Sequence, residues 1–159
     1  MKVLFLCTGN SCRSILAEAV FNHLAPIGFK AFSAGSRPVG YVHPRALAQL
    51  EGAGISTVGL ASKSWDALTD VPDLIVTVCG NAAGETCPVV LSPVLRVHWG
   101  VEDPASVSGS ESQVSAAFEQ VYRTLRHRIE AFIALSWTPN SLRDARRLAA
   151  LAEIGKSLP

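Results

Sequence analysis

The sequence predicts an α/β fold: a single domain built on an open, twisted parallel sheet of about four strands, with helices on both faces. Short runs of β-forming residues alternate along the chain with longer runs of helical period, and this alternation is typical of parallel sheets. The chain has 159 residues, of which 48% are hydrophobic and 17% charged, so it can bury one core of ordinary size.

The first three elements lie within residues 2–34. Residues 2–6 and 30–34 predict strands, and residues 14–24 between them predict a helix. The apolar side chains of that helix recur at helical spacing. They are Ile15, Leu16, Ala19, Val20 and Leu24.

The middle of the chain continues the alternation. Residues 44–51 predict a helix that begins at Pro44, since proline is tolerated in a first helical turn. Residues 64–68 predict a shorter helix, and residues 74–78 and 94–99 predict the third and fourth strands.

Two helices complete the predicted fold. Residues 113–135 have the longest helical period in the chain. After the breaker TPNS, residues 141–155 predict an amphipathic helix whose arginines indicate a solvated face. We therefore expect residues 1–136 to form the main domain and residues 137–159 to form a C-terminal helical extension.

Charge and hydropathy exclude several classes of protein. The 14 basic and 13 acidic residues give a net charge of +1 without a long run of either sign, so no broad nucleic-acid-binding surface is expected. No apolar run approaches the roughly 20 residues that cross a bilayer, and MKVLFL leads into polar residues rather than a signal-peptide cleavage site. We expect a cytoplasmic protein that binds small anions or proteins, not nucleic acid or membrane.

The cysteines are available for chemistry. They are Cys7, Cys12, Cys79 and Cys87, too few for a disulfide scaffold, and a reducing cytosol keeps structural bridges open. Their spacings of four, sixty-six and seven residues do not match a zinc site, and the four histidines form no ligand motif near them. The alternative is that these cysteines are core residues. That alternative suits Cys79, which follows a buried strand, better than Cys87, which lies in a polar loop.

The segment CTGNSCRS, residues 7–14, joins the first strand to the first helix. Ligands bind at the carboxyl ends of strands in open α/β sheets, where loop N–H groups and a helix N-terminus attract anions. Gly9 permits a tight turn, Asn10 tolerates a left-handed conformation, and the Arg13 guanidinium can hold two oxygens of an anion. The predicted oxyanion-binding residues are Thr8, Gly9, Asn10, Ser11, Cys12, Arg13 and Ser14.

Cys7 lies at the base of this loop. Loop N–H groups, the guanidinium of Arg13 and the helix N-terminus all favour a thiolate over a thiol, which predicts an activated nucleophile aimed at the bound oxyanion. The alternative is that Cys7 simply ends a buried strand and Arg13 begins an exposed helix.

The run C-T-G-N-S-C-R-S resembles the phosphate-binding loop of the low-molecular-weight protein tyrosine phosphatases and of the arsenate reductases built on the same fold. The resemblance covers most of the chain and implies Cys7 as nucleophile and Arg13 as oxyanion clamp. Both branches also use an Asp-Pro pair as general acid, and HWGVEDPA supplies Asp103 and Pro104. Asp-Pro is also a common turn dipeptide.

The stretch LIVTVCGNAAGETCPV, residues 74–89, distinguishes the two branches. A buried strand ends at Cys79, and a deformable Gly- and Ala-rich loop of seven residues leads to Cys87. Two thiols can supply the two electrons of a reduction, for which a phosphatase has no use. The stretch resembles the redox loop of arsenate reductases, although the residue after the first cysteine, often acidic there, is Gly80 here.

By that resemblance, we expect the chain to reduce arsenate to arsenite in arsenic detoxification, with weak phosphatase activity on the side. Cys79 and then Cys87 would resolve an adduct between Cys7 and arsenic. No tightly bound cofactor is expected, but an external thiol reductant of the thioredoxin or glutathione/glutaredoxin type is required. The alternatives are a phosphatase that uses only Cys7, Arg13 and Asp103, or a non-enzymatic module that binds oxyanions.

Two further hypotheses concern residues near the loop. Some arsenate reductases of this fold bind a potassium ion through residues that would correspond to Asn10, Glu18 and Ser33. Cys12 is expected to be a spectator, or to form a protective disulfide with Cys7.

Overall fold

A computed structural model describes residues 1–86, 91, 93–138 and 140–159. The strands are β1 (Lys2–Leu6), β2 (Lys30–Ala34), β3 (Leu74–Thr77) and β4 (Leu95–His98). The α-helices are α1 (Arg13–Leu24), α2 (Pro44–Gly52), α3 (Gly80–Gly84), α4 (Glu111–Ala134) and α5 (Ala145–Ile154). Single-turn 3-10 helices lie at Trp65–Ala67, Pro104–Ser106 and Ser141–Arg143.

The sheet has the order β2-β1-β3-β4, and all of its strand pairs are parallel. Val3 on β1 lies between Ala31 on β2 and Leu74 on β3. The chain passes from β1 outward to β2 and then returns to β3 on the opposite side of β1, so the strand order reverses between β1 and β3. A crevice opens at the carboxyl ends of strands at such a point, and this is where the loop after Leu6 lies.

Helices lie on both faces of the sheet, as predicted, but the two layers are unequal. Val3, Phe5 and Val76 point into the larger core, which is closed by residues from α1, α2, α4 and α5. Leu4 and Ile75 point to the other face, where a smaller cluster packs against the 3-10 helix at Trp65–Ala67. The larger core therefore holds the anion loop and the helix that follows it.

The longest helix begins two residues before its predicted start. Ser110 caps α4, because its hydroxyl accepts the N–H of Gln113 at 3.2 Å while the Gln113 amide oxygen accepts the N–H of Ser110 at 2.8 Å. Phe118, Leu125 and Phe132, three of the apolar residues that recur at helical spacing along it, are buried in the core. α4 packs along α1 and thereby supports the helix that begins at the anion loop.

Two predicted segments differ from the structure. Residues 80–84, predicted as a loop, form α3, in which Ala82 and Ala83 favour helix and the Cys79 thiol caps the first turn by accepting the N–H of Ala82. The helix predicted over residues 141–155 is interrupted at Asp144. The Asp144 carboxylate accepts the N–H of Arg146 at 2.9 Å and caps α5, which requires a non-helical backbone at residue 144.

Membrane-spanning helices are absent from the described part of the chain, since none of its helices combines the length and apolar character needed to cross a bilayer.

Candidate active site

A cleft of about 700 Å³ opens at the carboxyl ends of β1, β3 and β4. The anion loop lines one wall, Cys79 and the start of α3 line another, and residues 98–103 form the third. Three segments that lie far apart in the sequence thus meet around one opening.

Asn10 fixes the shape of the anion loop. It is fully buried, and its φ of 43° makes it the one non-glycine residue with positive φ among the described residues. Its side-chain NH₂ donates to the hydroxyls of Ser14 at 2.9 Å and Ser33 at 2.8 Å, and its oxygen accepts the N–H of Lys63 at 2.8 Å. The left-handed conformation that its residue type predicts is therefore present and held by three hydrogen bonds.

The carbonyl groups of the loop are turned away from the cleft. The carbonyl oxygens of Thr8, Gly9 and Ser11 accept backbone N–H groups from residues 37–43 at 3.0, 3.0 and 2.8 Å. In a trans peptide the N–H points opposite to the carbonyl, so the N–H groups that follow these carbonyls point away from residues 37–43. They are the groups with which such a loop binds an anion.

Gly35 permits the loop to lie against the end of β2. A Cβ atom at this position would contact the carbonyl oxygen of Thr8 and lie 2.8 Å from that of Cys7. Both are main-chain atoms of the loop, so any larger residue at position 35 would displace it.

Arg13 and Asp103 meet at the mouth of the cleft. The Nη2 of Arg13 lies 3.2 Å from Oδ2 of Asp103, and its Nη1 donates to the carbonyl oxygen of Val101 at 3.3 Å. The buried Nε–H of Arg13 has no hydrogen-bond partner among the described residues. A buried guanidinium donor without an acceptor is a position for an anion oxygen.

Cys79 lies beside Cys7 at the floor of the cleft. The two residues are 3% and 5% exposed, and each thiol influences the pKa of the other. Cys79 Sγ also accepts the N–H groups of Thr8 and Ala82, both at 3.4 Å, and lies 3.7 Å from the hydroxyl of Thr8. The structure therefore brings together Cys7, Cys79, Arg13 and Asp103, whereas Cys87 lies outside the described residues.

The interaction between these two neighbouring thiols shifts their pKa values in opposite directions. It is the largest influence that lowers the pKa of Cys79, to about 5, and the N–H groups of Ala82 and Thr8 add to this. The same interaction, followed by burial, raises the pKa of Cys7, although Arg13 opposes the change. The N–H groups of Thr8 and Ala82 therefore favour a thiolate on Cys79. The role of Cys7 as the nucleophile stays a prediction.

Cys12, in the middle of the loop, is buried beside these groups. Burial is the main cause that raises its pKa to about 12, with a smaller contribution from Asp103. It is a free thiol in this structure, as are Cys7 and Cys79.

The residues expected to bind potassium are brought together but do not leave an oxygen-lined site. Ser33 donates its hydroxyl to Oε2 of Glu18 at 2.5 Å, and Asn10 turns its NH₂ group toward Ser33. The ammonium of Lys63 lies 3.8 Å from the same oxygen of Glu18, so a protein cation already faces this carboxylate. The chain's own residues therefore fit a potassium ion poorly. Within the described residues, His, Cys, Asp and Glu also form no cluster of three or more that could hold a metal ion.

Three residues of the site were missed from the sequence. Lys63 reaches the loop network, and Glu85 accepts a hydrogen bond from the Thr8 hydroxyl at 3.2 Å. His98 lines the cleft, with Nδ1 2.8 Å from the hydroxyl of Thr77. Each contact joins residues distant in sequence and belongs to no motif, so only the folded chain reveals it.

Comparison with known proteins agrees with this geometry. Residues 2–146 match the family model described as low molecular weight phosphotyrosine protein phosphatase. The chain is 37% identical over 131 residues to the arsenate reductase of Bacillus subtilis, an alignment that covers 82% of this chain and 93% of that one. A solved arsenate reductase in the reduced state superposes with a TM-score of 0.67 at 30% identity, covering 84% of this chain and 96% of the other.

A thioredoxin-dependent arsenate reductase of Corynebacterium glutamicum superposes with a TM-score of 0.57 at 26% identity, covering 79% of this chain and 58% of that one. The resemblance seen in residues 7–14 is thus confirmed across most of the sequence. The chain belongs to the low molecular weight phosphotyrosine protein phosphatase family.

Proposed function

We propose that this protein reduces arsenate to arsenite. A second buried thiol, Cys79, which lines the same cleft as Cys7 and accepts the N–H of Thr8 in the anion loop, is the observation that carries the proposal. Hydrolysis of a phosphate ester needs only one thiol, whereas a reduction needs a source of two electrons. The relatives that carry the name arsenate reductase support the same assignment.

The first step forms a bond between Cys7 sulfur and arsenic. Arsenate occupies the loop with its oxygens on the free N–H groups and on the guanidinium of Arg13. The thiol proton of Cys7 passes to an oxygen of the bound arsenate dianion, which leaves a thiolate on Cys7 to attack As(V). Asp103 gives a proton to the departing oxygen, which leaves as water.

The second step reduces the arsenic. The Cys79 thiolate attacks Cys7 sulfur, an S–S bond forms, and the S–As bond breaks with its electron pair moving to arsenic, which leaves as As(III) arsenite. Two N–H donors hold Cys79 sulfur next to its target, and they favour the thiolate that this attack requires.

The third step moves the disulfide to Cys87. Its thiolate attacks Cys79 sulfur and releases Cys7 as a thiolate, leaving a Cys79–Cys87 disulfide that an external dithiol reduces. Thioredoxin is the reductant we propose, since one structural relative is named for its dependence on it, and glutathione with glutaredoxin is the alternative. Arsenic detoxification in the cytoplasm completes the proposal, and potassium has no part in these steps.

Mapping of disulfides tests the relay directly. Fully reduced protein is incubated with arsenate without air, free thiols are blocked, and disulfides are identified by peptide mass spectrometry, with phosphate as the control anion. We expect a Cys79–Cys87 disulfide and one arsenite per disulfide with arsenate, and free thiols with phosphate. Four free thiols under both conditions would favour the alternative, a phosphatase that uses only Cys7, Arg13 and Asp103.

A pair of serine variants tests the role of the second thiol. We expect Cys79→Ser to abolish arsenate turnover while retaining hydrolysis of an aryl phosphate. Cys12→Ser is the matched control, because it removes a buried thiol of the same cleft that the relay does not use. Equal losses in the two variants, or loss of both activities in Cys79→Ser, would contradict the relay.

A further inference from the structure

A buried arginine on α4 joins the C-terminal segment to the residues that precede Asp103. Arg128 is 4% exposed. Its Nη1 donates to the carbonyl oxygens of Trp99 at 3.0 Å and Gly100 at 3.2 Å, and its Nε donates to that of Ser157 at 3.0 Å. All three acceptors in the described part of the chain are main-chain carbonyls, so the guanidinium ties two backbone segments together rather than pairing with an acid there.

The C-terminal segment packs directly on the same residues. The indole N–H of Trp99 donates to the carbonyl oxygen of Leu151 on α5 at 2.9 Å, and Leu151 is fully buried. Gly155 lies so close to this point that a Cβ atom there would contact the carbonyl oxygen of His98 and lie 2.6 Å from the Trp99 ring. α5 therefore covers the end of β4.

The segment after β4 leads from these contacts to the acid. The Trp99 N–H donates to the carbonyl of Thr77, and the Val101 N–H to that of Val78, at 2.8 and 3.1 Å. The Val101 carbonyl accepts a hydrogen bond from Arg13, which also pairs with Asp103. Only residues 101 and 102 separate the backbone fixed by Arg128 from the carboxylate.

The C-terminal partners in these contacts lie beyond the family match, which ends at residue 146. Most of α5 and the residue that Arg128 holds at position 157 follow that point. A chain without this segment would have to support the end of β4 in another way.

We propose that Arg128, together with residues 151–157, braces the segment after β4 and so fixes Asp103 over the anion loop. Arg128 is then a positioning residue for proton donation, and the C-terminal segment is a working part of the active site. This inference rests on the proposed role of Asp103 as general acid.

The physical reason is the precision that proton transfer demands. A general acid must lie within hydrogen-bond reach of the departing oxygen, and displacements of about 1 Å lower rates by orders of magnitude. The planar guanidinium donates in fixed directions to carbonyls on both segments, which a flexible apolar side chain of similar size does not. Loss of the brace therefore affects the proton-donation step rather than arsenate binding.

A double-mutant cycle between Arg128→Met and Asp103→Asn tests the proposal. Reduced protein in excess is mixed with arsenate, and the single-turnover rate of arsenite formation is measured over a range of protein concentrations. We expect Asp103→Asn to lower the saturating rate by about 10²-fold or more. Arg128→Met should lower it at least tenfold, with the half-saturating concentration changed less than threefold.

The double variant carries the decisive result. If Arg128 acts through Asp103, the rate of the double variant equals that of Asp103→Asn alone within twofold, because no acid remains to be positioned. Leu50→Ala is the matched control: it opens a cavity in the core under α2 at a residue that makes none of the hydrogen bonds of the brace, and any loss it causes multiplies with that of Asp103→Asn.

The outcomes separate the two proposals. An unchanged rate in Arg128→Met, or a loss that multiplies with that of Asp103→Asn, would overturn the brace while leaving the reductase intact. No arsenite from the wild-type protein would overturn the proposed function, and the same cycle would then be measured on hydrolysis of phenyl phosphate, which requires the same acid.

Two further variants cover a failure of Arg128→Met to fold. Arg128→Lys keeps a donor that can reach one of the three carbonyls and should restore part of the rate. Gly155→Ala leaves Arg128 in place but pushes the C-terminal segment off His98 and Trp99, and should lower the rate in the same non-additive way. Full activity in both would contradict the brace.

Discussion

Replacement of Asn10 should separate the hydrogen bonds of the anion loop from its backbone conformation. Asn10→Ala removes three buried hydrogen bonds, worth about 1 kcal/mol each, and places alanine at a φ of 43°, which adds about 1 kcal/mol. The expected loss in free energy of unfolding is about 4 kcal/mol, a large part of the 5–15 kcal/mol that holds typical domains together. Asn10→Gly loses the same bonds without the strain, so it should be the more stable of the two by about 1 kcal/mol.

Asn22 provides the matched control. The side chain of Asn22 makes two hydrogen bonds, both with the backbone of Ala31, at 2.8 and 2.9 Å. Unlike Asn10, Asn22 lies within α1. The Asn22→Ala variant should therefore be more stable than Asn22→Gly by about 1 kcal/mol, which is the opposite order to that expected for the two Asn10 variants.

Urea denaturation followed by tryptophan fluorescence measures all four variants, and calorimetric titration with phosphate measures the anion site. Both Asn10 variants should bind phosphate at least tenfold more weakly, whereas the Asn22 variants should bind it normally. If alanine is as stable as glycine at position 10, or if phosphate affinity is retained, the loop does not depend on this residue in the way we infer.

The remaining predictions concern other parts of the site. Gly35→Ala should weaken phosphate binding at least tenfold in calorimetry, because the new Cβ contacts the carbonyl oxygens of the anion loop. Unchanged affinity would show that the end of β2 moves and the loop does not, and would contradict this prediction. The pKa of Cys79 is lowered to about 5 from 9.0, so its thiolate stabilises the folded state fully above about pH 9 and this stabilisation is lost as the pH falls toward 5. Urea unfolding under reducing conditions should therefore show a steeper rise in stability from pH 5 to 9 in the wild type than in Cys79→Ser, and equal slopes would disprove the assignment. Exchange of potassium for sodium should leave the melting temperature and activity unchanged, because Lys63 faces Glu18; a potassium-specific rise in melting temperature would contradict this.

The fold could be predicted from the sequence because the patterns that indicate it, short β-forming runs and helical periods, are local. The predicted strands at residues 2–6 and 30–34 match β1 and β2. β3 is one residue shorter than predicted at its end, and β4 is one residue shorter at each end. α3 could not be predicted, because a five-residue helix depends on one capping contact, from Ala82 to Cys79. The interruption at Asp144 has a similar cause, since a single carboxylate decides between continuing a helix and starting one.

The candidate site was predictable in its residue types and less so in its electrostatics. The position of Cys7, Arg13 and Asp103 around one cleft follows from a motif and from the topology of a parallel sheet. The protonation of the two thiols cannot be predicted in this way, because it depends on N–H groups that only folding directs at Cys79. Their roles in catalysis, and that of Cys87, stay predictions until the experiments above are made.

The contact between the two buried thiols also determines how the protein meets oxidants other than arsenate. Hydrogen peroxide that reaches the Cys79 thiolate would form a sulfenic acid and hydroxide, and attack by the neighbouring Cys7 thiol would then yield a disulfide with loss of water. Protein exposed to peroxide would thus be converted to the Cys7–Cys79 disulfide without ever binding an oxyanion. Oxidative stress and arsenic exposure would then draw on the same pool of cellular reductant, and a cell facing both would regenerate this protein more slowly.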